Sequence, residues 1–117
     1  MTKNASPAED STGCPVEFAI EIIGGKWKCH ILSYLATGTK RFGALRRHIP
    51  EISQRVLTQK LRQLEENGVV HRDVFASVPP HTEYSLTPLG QSLLPVLDAL
   101  ETWANKYQSS LELKKVN

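Results

Sequence analysis

The sequence predicts a mainly α-helical fold with one small β-hairpin. Apolar residues recur at helical spacing along most of the chain, alternate with polar residues in one stretch, and are interrupted by Gly or Pro at segment boundaries. A length of 117 residues suits a single domain, and the 40% hydrophobic and 22% charged contents are ordinary for a globular protein. We therefore expect one core.

The first half of the chain is predicted to be helical after a disordered tail over residues 1–13. Pro15 suits the first turn of a helix that ends at Gly24-Gly25, and a second helix runs from about Lys26 to Gly38. Residues 39–41 form a short link or brief strand. A third helix is predicted over 42–48 and a fourth over 54–67, the latter with Ser53 as its N-cap.

The second half begins with the alternating stretch 69–76, which predicts a strand, and Pro79-Pro80 marks a turn. Residues 83–87 return as a second strand. Thr87 is a predicted N-cap, and an apolar stripe then extends from Pro88 to Tyr107, with a frayed end over 108–117. This order indicates a winged helix-turn-helix domain over 14–107 with an additional dimerisation helix at each end.

Charge is unevenly distributed although the net charge is only +2. From Gly25 to Arg62 there are nine Lys or Arg residues and one acid, which gives this segment +8, whereas the remainder carries −6. A concentrated positive charge favours a polyanionic partner such as double-stranded DNA. The alternative is an ordinary solvated basic surface.

The helix that begins after Ser53 has the pattern of a DNA-reading helix. With Leu57, Leu61 and Leu64 buried, its outward residues near the start include glutamine, arginine and threonine, which can contact adenine, guanine and the thymine methyl. An amphipathic surface helix without a DNA role is the alternative. The predicted DNA-binding residues of this helix are Ser53, Gln54, Arg55, Thr58, Gln59 and Arg62.

Phosphate contacts are predicted from Lys40, Arg41 and Arg46. In the hairpin, His81, Arg72 and Ser77 are placed to reach phosphates or the neighbouring minor groove. The alternative is that the hairpin only connects the segments on either side of it and binds no DNA. No cysteine and histidine spacing suggests zinc, and no catalytic triad or phosphate-binding loop is evident. We therefore expect no metal, no cofactor and no enzymatic activity. Without a signal peptide or a long apolar run, a cytoplasmic location away from membranes is expected.

Several short motifs occur in a fixed order along the chain. They are Cys14-Pro15-Val16, Gly24-Gly25-Lys26-Trp27, Arg41-Phe42-Gly43-Ala44-Leu45-Arg46-Arg47, Ile52-Ser53-Gln54-Arg55-Val56-Leu57-Thr58, Leu64-Glu65-Glu66-Asn67-Gly68, Val78-Pro79-Pro80 and Glu83-Tyr84-Ser85-Leu86-Thr87-Pro88-Leu89-Gly90. Together these motifs resemble the HxlR-type regulators, bacterial relatives of the MarR regulators. The resemblance covers about residues 14–107 and implies a dimeric winged-helix repressor or activator in which the helix starting at Ser53 reads the DNA.

Cys14 begins the first predicted helix, where the helix end favours a thiolate. The resemblance implies that a cysteine at this place senses oxidants or electrophiles. A cysteine retained for packing is the alternative, and a regulator controlled by a small-molecule ligand, or a protein-interaction module without DNA binding, stays open. Cys29 is predicted to be structural. The resemblance also implies that two-cysteine sensors of this family use a partner cysteine near the C-terminal helix, where this chain has none. A bridge between two Cys14 residues or a mixed disulfide with a low-molecular-weight thiol is then left.

A homodimer is predicted from the two terminal helices. Both lie outside the three-helix reading unit, and both carry apolar faces that a second copy would cover. A dimer would present two reading helices to a palindromic operator, at a spacing of about 34 Å.

Overall fold

The computed structural model describes residues 13–116, in which helices alternate with a small sheet. Of the tail predicted over 1–13, only Gly13 lies within the described residues. The order of elements in this part is that of a winged helix-turn-helix, which confirms the predicted fold class. The elements are α1 (Pro15–Ile23), α2 (Lys28–Leu35), β1 (Lys40–Arg41), α3 (Phe42–His48), α4 (Gln54–Glu66), β2 (Val70–Phe75), β3 (His81–Leu86), α5 (Pro88–Gln91) and α6 (Leu94–Val116).

The core lies where α2, α3 and α4 meet the sheet. Helix α4 contributes the predicted stripe of Leu57, Leu61 and Leu64, each no more than 1% exposed. Burial of each leucine side chain stabilises the fold by about 1.5–3 kcal/mol, so the stripe fixes the rotation of α4 about its axis. The partners of the stripe in the core are Ile23, Ile31, Leu32, Leu35, Leu45, Ile49, Ile52, Val69, Val70 and Tyr84.

The sheet is antiparallel and three-stranded, with the order β1-β3-β2. Strands β2 and β3 pair over their full length as the predicted hairpin, and part of the link predicted at 39–41 is the strand β1. The alternation in β2 predicts one buried face, yet only Val70 is buried and Val74 is 64% exposed. The hairpin extends beyond the core, so its outer residues have nothing to pack against.

Thr87 joins the end of α4 to the start of α5. As predicted, it is the N-cap of α5, and its Oγ1 accepts a hydrogen bond from the Gly90 N–H at 3.0 Å. The same hydroxyl donates to the carbonyl oxygen of Gly68 at 2.6 Å. Gly68 has φ of 78°, in the left-handed region that favours glycine, and it directs the chain from α4 into β2.

The second helix begins later than predicted. Gly25 and Trp27 have φ of 82° and 89°, outside the right-handed helical region, so α2 starts at Lys28 rather than near Lys26. Trp27 packs against the core from this turn.

The C-terminal helix differs from the prediction in two ways. The stripe from Pro88 to Tyr107 predicts one helix, whereas the structure has α5 ending at Gln91 and α6 starting at Leu94. Pro95 explains the break, because it has no N–H to donate to the Gln91 carbonyl and its ring collides with that group. Helix α6 then continues to Val116, so the fraying expected over 108–117 is not observed as far as residue 116.

Replacement of Gly90 by alanine is predicted to destabilise the fold. A Cβ added at Gly90 would overlap the carbonyl oxygen of Val69, a backbone atom that cannot move without disturbing the sheet. Gly90→Ala should therefore lower the free energy of unfolding by about 1–3 kcal/mol in urea titrations. Gly43→Ala is the matched helical control, because the nearest atom there is the flexible end of Arg47 at 3.3 Å. Equal stability of the two variants would contradict this account of Gly90.

Candidate nucleic-acid interface

Helix α4 is held firmly at its N-terminal end. The Ser53 hydroxyl accepts a hydrogen bond from the Val56 N–H at 3.1 Å, which confirms the predicted N-cap. The first turn contains no acidic residue, so the positive end of the helix dipole is not neutralised. The start of α4 is thus a rigid, electropositive projection.

The outward face of α4 brings together the side chains predicted to read DNA. Ser53, Gln54, Arg55, Gln59 and Arg62 are exposed, and Thr58 is half-buried among them. A single shallow concavity is lined by all of these residues except Ser53. The polar face opposes the leucine stripe, so its residues cannot turn inward without exposing the core.

The arginines of α3 lie beside the start of α4. Arg46 and Arg47 are exposed in the last turn of α3, and Arg46 Nη1 donates to Gln54 Oε1 at 3.5 Å. Both arginines line a shallow groove between α3 and α4 with Phe42 and Gln54. Arg47 was not among the predicted contacts. Its sequence signal was weak, because two adjacent helical arginines point in different directions and only packing shows that both reach this groove.

The two basic residues of β1 differ in exposure. Arg41 is exposed and directly precedes α3, the helix that carries Arg46. Lys40 is half-buried, with its Nζ 4.7 Å from the centroid of the Tyr34 ring. A cation on an aromatic face is partly satisfied before any ligand binds. Arg41 is therefore the freer of the two predicted phosphate contacts.

The hairpin residues proposed for phosphate contact already have partners in the protein. The His81 ring lies 3.2 Å from Ser77 Oγ through Nδ1 and 3.1 Å from Glu83 Oε2 through Nε2, and it stacks on Phe75. Arg72 Nε lies 3.5 Å from Glu65 Oε1. A phosphate would have to compete with carboxylates at both positions, which sets them apart from the residues of α4.

Lys28 does not add to the basic surface although it belongs to the +8 segment. It is 8% exposed, and its Nζ donates to the Glu21 carbonyl oxygen at 3.4 Å. Burial, and secondarily the charge of Lys60, lowers the pKa of the Lys28 ammonium. The charge that faces solvent near α4 is therefore smaller than the sequence count indicates.

The two cysteines have opposite hydrogen-bonding roles. Cys14 is exposed at the N-cap of α1, and its Sγ accepts from the Val16 N–H at 3.3 Å. Cys29 is partly buried, and its thiol donates to the Ile23 carbonyl oxygen at 3.2 Å. Burial raises the pKa of the Cys29 thiol. Cys14 is thus the accessible thiol, whereas burial of Cys29 favours retention of its proton.

A long apolar seam remains uncovered on α6. Six large apolar side chains of α6 are 39% or more exposed, and the spacing of five of them places these five along one side of the helix. Trp103 and Tyr107 stack with ring centroids 5.3 Å apart within this seam. On α1, Val16 and Ile20 are also exposed, at 64% and 56%. The seam consists of Val96, Leu100, Trp103, Tyr107 and Leu111.

Residues 13–116 offer neither a metal site nor a membrane span. The His, Cys, Asp and Glu side chains of this part form no group of three suited to a metal ion. No helix within the same range combines the length and the apolar character needed to cross a bilayer.

Comparison with known proteins gives a consistent result. A family model described as HxlR-like helix-turn-helix matches residues 22–112. Over 105 residues the chain is 48% identical to the HTH-type transcriptional regulator YdeP of Bacillus subtilis (strain 168). The aligned region covers 90% of this chain and 82% of that protein.

Solved structures of a redox regulator, HypR, have a similar fold. The reduced form superposes with a TM-score of 0.80 at 45% identity, over 85% of this chain and 98% of that chain. The oxidized form gives a TM-score of 0.74 at 47% identity, over 80% and 96% of the two chains.

Proposed function

Since the chain belongs to the HxlR-like helix-turn-helix family of transcriptional regulators, we propose that it is a cytoplasmic DNA-binding regulator that binds a palindromic operator as a homodimer and responds to oxidation of Cys14. The main support is the outward face of α4, where side chains that can contact base edges share one concavity on a rigidly packed helix. A helix-turn-helix reads DNA by inserting this helix into the major groove.

Of the two helices of the motif, α4 would contact bases and α3 would contact phosphates. Gln54, Arg55 and Thr58 lie near the start of α4, which is the end of a reading helix that approaches base edges. Arg46 and Arg47 border the same region from α3 and would contact the phosphates on either side of the groove. Phosphate contacts of this kind make the affinity fall steeply with salt concentration.

The uncovered apolar surfaces favour a homodimer. The seam on α6 is too apolar and too continuous to be a solvated helix face, and α1 carries exposed Val16 and Ile20. A second copy related by two-fold symmetry would bury both apolar surfaces. The two α4 helices would then be fixed relative to each other, as a palindromic site requires.

Cys14 would be the trigger because of where it lies. It is exposed, it precedes the apolar residues Val16 and Ile20 on α1, and its sulfur already accepts an N–H hydrogen bond. A two-electron oxidant such as diamide would take up two protons and two electrons from two thiols, which then form one disulfide. A bond at Cys14 to the second copy, or to a small thiol, would change the contact of α1 with its partner and thereby the spacing of the reading helices. HypR, a redox regulator of similar fold, supports this assignment by analogy.

Arg55→Ala should weaken binding to an operator selected from random double-stranded DNA. Arg55 is exposed in the concavity of α4, and an arginine contact to guanine is worth about 1–3 kcal/mol. We expect lower affinity and a lost preference at one base pair of each half-site, measured by fluorescence anisotropy at several salt concentrations. Lys106→Ala removes one exposed positive charge from α6 and should leave both quantities unchanged. Equal losses in the two variants would argue against base reading by α4.

Trp103→Glu should convert the dimer into a monomer. The indole is 62% exposed in the seam, where a carboxylate would have to be buried against a second copy. Light scattering at micromolar concentration should give twice 13.1 kDa for the parent and 13.1 kDa for the variant. Asn105→Glu adds the same charge to α6 outside the seam and should remain dimeric. A monomeric parent protein would refute the proposed dimer.

Cys14→Ser should abolish the response to diamide while preserving the fold. Serine is a good N-cap, so α1 keeps its hydrogen bond to Val16. Diamide should change operator affinity severalfold in the parent and in Cys29→Ala, but not in Cys14→Ser. Thiol labelling at neutral pH should be fast at Cys14 and slow at Cys29, whose pKa is raised. A Cys14→Ser protein that responds like the parent would remove Cys14 from the mechanism.

A further inference from the structure

We infer that Arg46 is a positioning residue that fixes the amide orientation of Gln54 and so narrows the choice of base at one operator position. The inference deepens the proposed function and rests on it. Arg46 is in the last turn of α3 and Gln54 is the first residue of α4, and Arg46 Nη1 lies 3.5 Å from Gln54 Oε1.

The turn between these residues holds their backbones at a fixed separation. Ile49 and Ile52 are 0% and 2% exposed, and the Ile52 N–H donates to the Ile49 carbonyl oxygen at 3.1 Å. Both ends of the turn are therefore anchored in the core, while the side chains of Arg46 and Gln54 remain exposed on its outer surface. The contact between them forms across a rigid corner.

The chemistry of the two side chains determines which way the amide faces. A guanidinium has only hydrogen-bond donors, so the Gln54 amide must present its oxygen to Arg46, and a flipped amide would set donor against donor. One lone pair of Oε1 and the Nε2 hydrogens stay available for a base edge. A bidentate contact to adenine needs the oxygen and the nitrogen in a defined order, and Arg46 imposes one order.

The remaining N–H groups of Arg46 are free for a second task. Arg46 lines the exposed groove between α3 and α4, where a DNA phosphate would approach. One arginine would then bind the phosphate backbone and orient the side chain that reads the adjacent base. Recognition at that base pair would depend on Arg46 without any direct contact between Arg46 and the base.

Arg47 provides a matched control for the loss of charge. It is the next residue along α3 and is equally exposed, but its guanidinium lies over Gly43, where an added Cβ would be 3.3 Å from Nη1. Arg47→Ala therefore removes the same charge from the same groove without removing the partner of Gln54.

The test compares binding to four operators that differ only at the base pair whose preference is lost in Gln54→Ala. Arg46→Ala should reduce the preference among the four by roughly tenfold, the size of a typical bidentate contact. Arg47→Ala should weaken binding to all four equally. In the Gln54→Ala background, where no preference remains, Arg46→Ala should weaken binding to all four operators equally, as Arg47→Ala does in the parent.

A measurement without DNA separates this inference from the proposed function. In the free protein, the side-chain amide resonances of Gln54 should shift in Arg46→Ala and not in Arg47→Ala. Unchanged resonances, or unchanged preference among the four operators in Arg46→Ala, would overturn the positioning role alone. A parent protein that selects no DNA sequence would instead overturn the proposed function, and the specificity assigned to Gln54 with it.

Discussion

Burial of the leucine stripe of α4 is the constraint on which the rest of the structure depends. Leu57, Leu61 and Leu64 insert among the side chains of α2, α3 and the first residues of β2, so α4 can neither rotate nor slide without opening the core. The opposite face is consequently fixed in direction. Any recognition by side chains such as Gln54 and Arg55 starts from this rigid placement, since a base contact tolerates only small errors of position.

The turn between α3 and α4 places a defined set of hydrogen-bond donors and acceptors at the start of α4. The buried isoleucines of the turn hold α3 against α4, and the arginines of α3 thereby border the residues that open α4. The hairpin on the other side is built differently, because His81 and Arg72 already lie against carboxylates. The two flanks of α4 are therefore unequal in their freedom to bind an anion.

The ends of the described chain carry a different kind of surface. Helices α1 and α6 expose apolar residues that the core does not accommodate, and Cys14 caps the first of them. Chemistry at this sulfur would therefore act on the surface through which two copies would meet, away from the α4 residues that would read DNA. If Cys14 is the trigger proposed above, a local covalent change there would alter the spacing of two reading helices without touching the residues of α4.

The sequence by itself determined the type and order of the elements. The helical period of the leucines, the N-caps at Ser53 and Thr87, and the turn at Pro79-Pro80 are local signals, and local signals are read along the chain. The helical period also predicted which residues share the outward face of α4, because the side of a helix opposite a buried apolar stripe faces solvent.

Outside α4, only the tertiary structure decided which residues are buried and which are exposed to solvent. Lys28 lies inside a segment that counts as basic, yet burial removes it from the surface, and most of β2 is exposed although its alternation predicts a buried face. The contact of Arg46 with Gln54 likewise depends on how α3 and α4 meet. Burial and side-chain pairing arise between segments distant in sequence, and a periodic pattern records only what each segment would prefer alone.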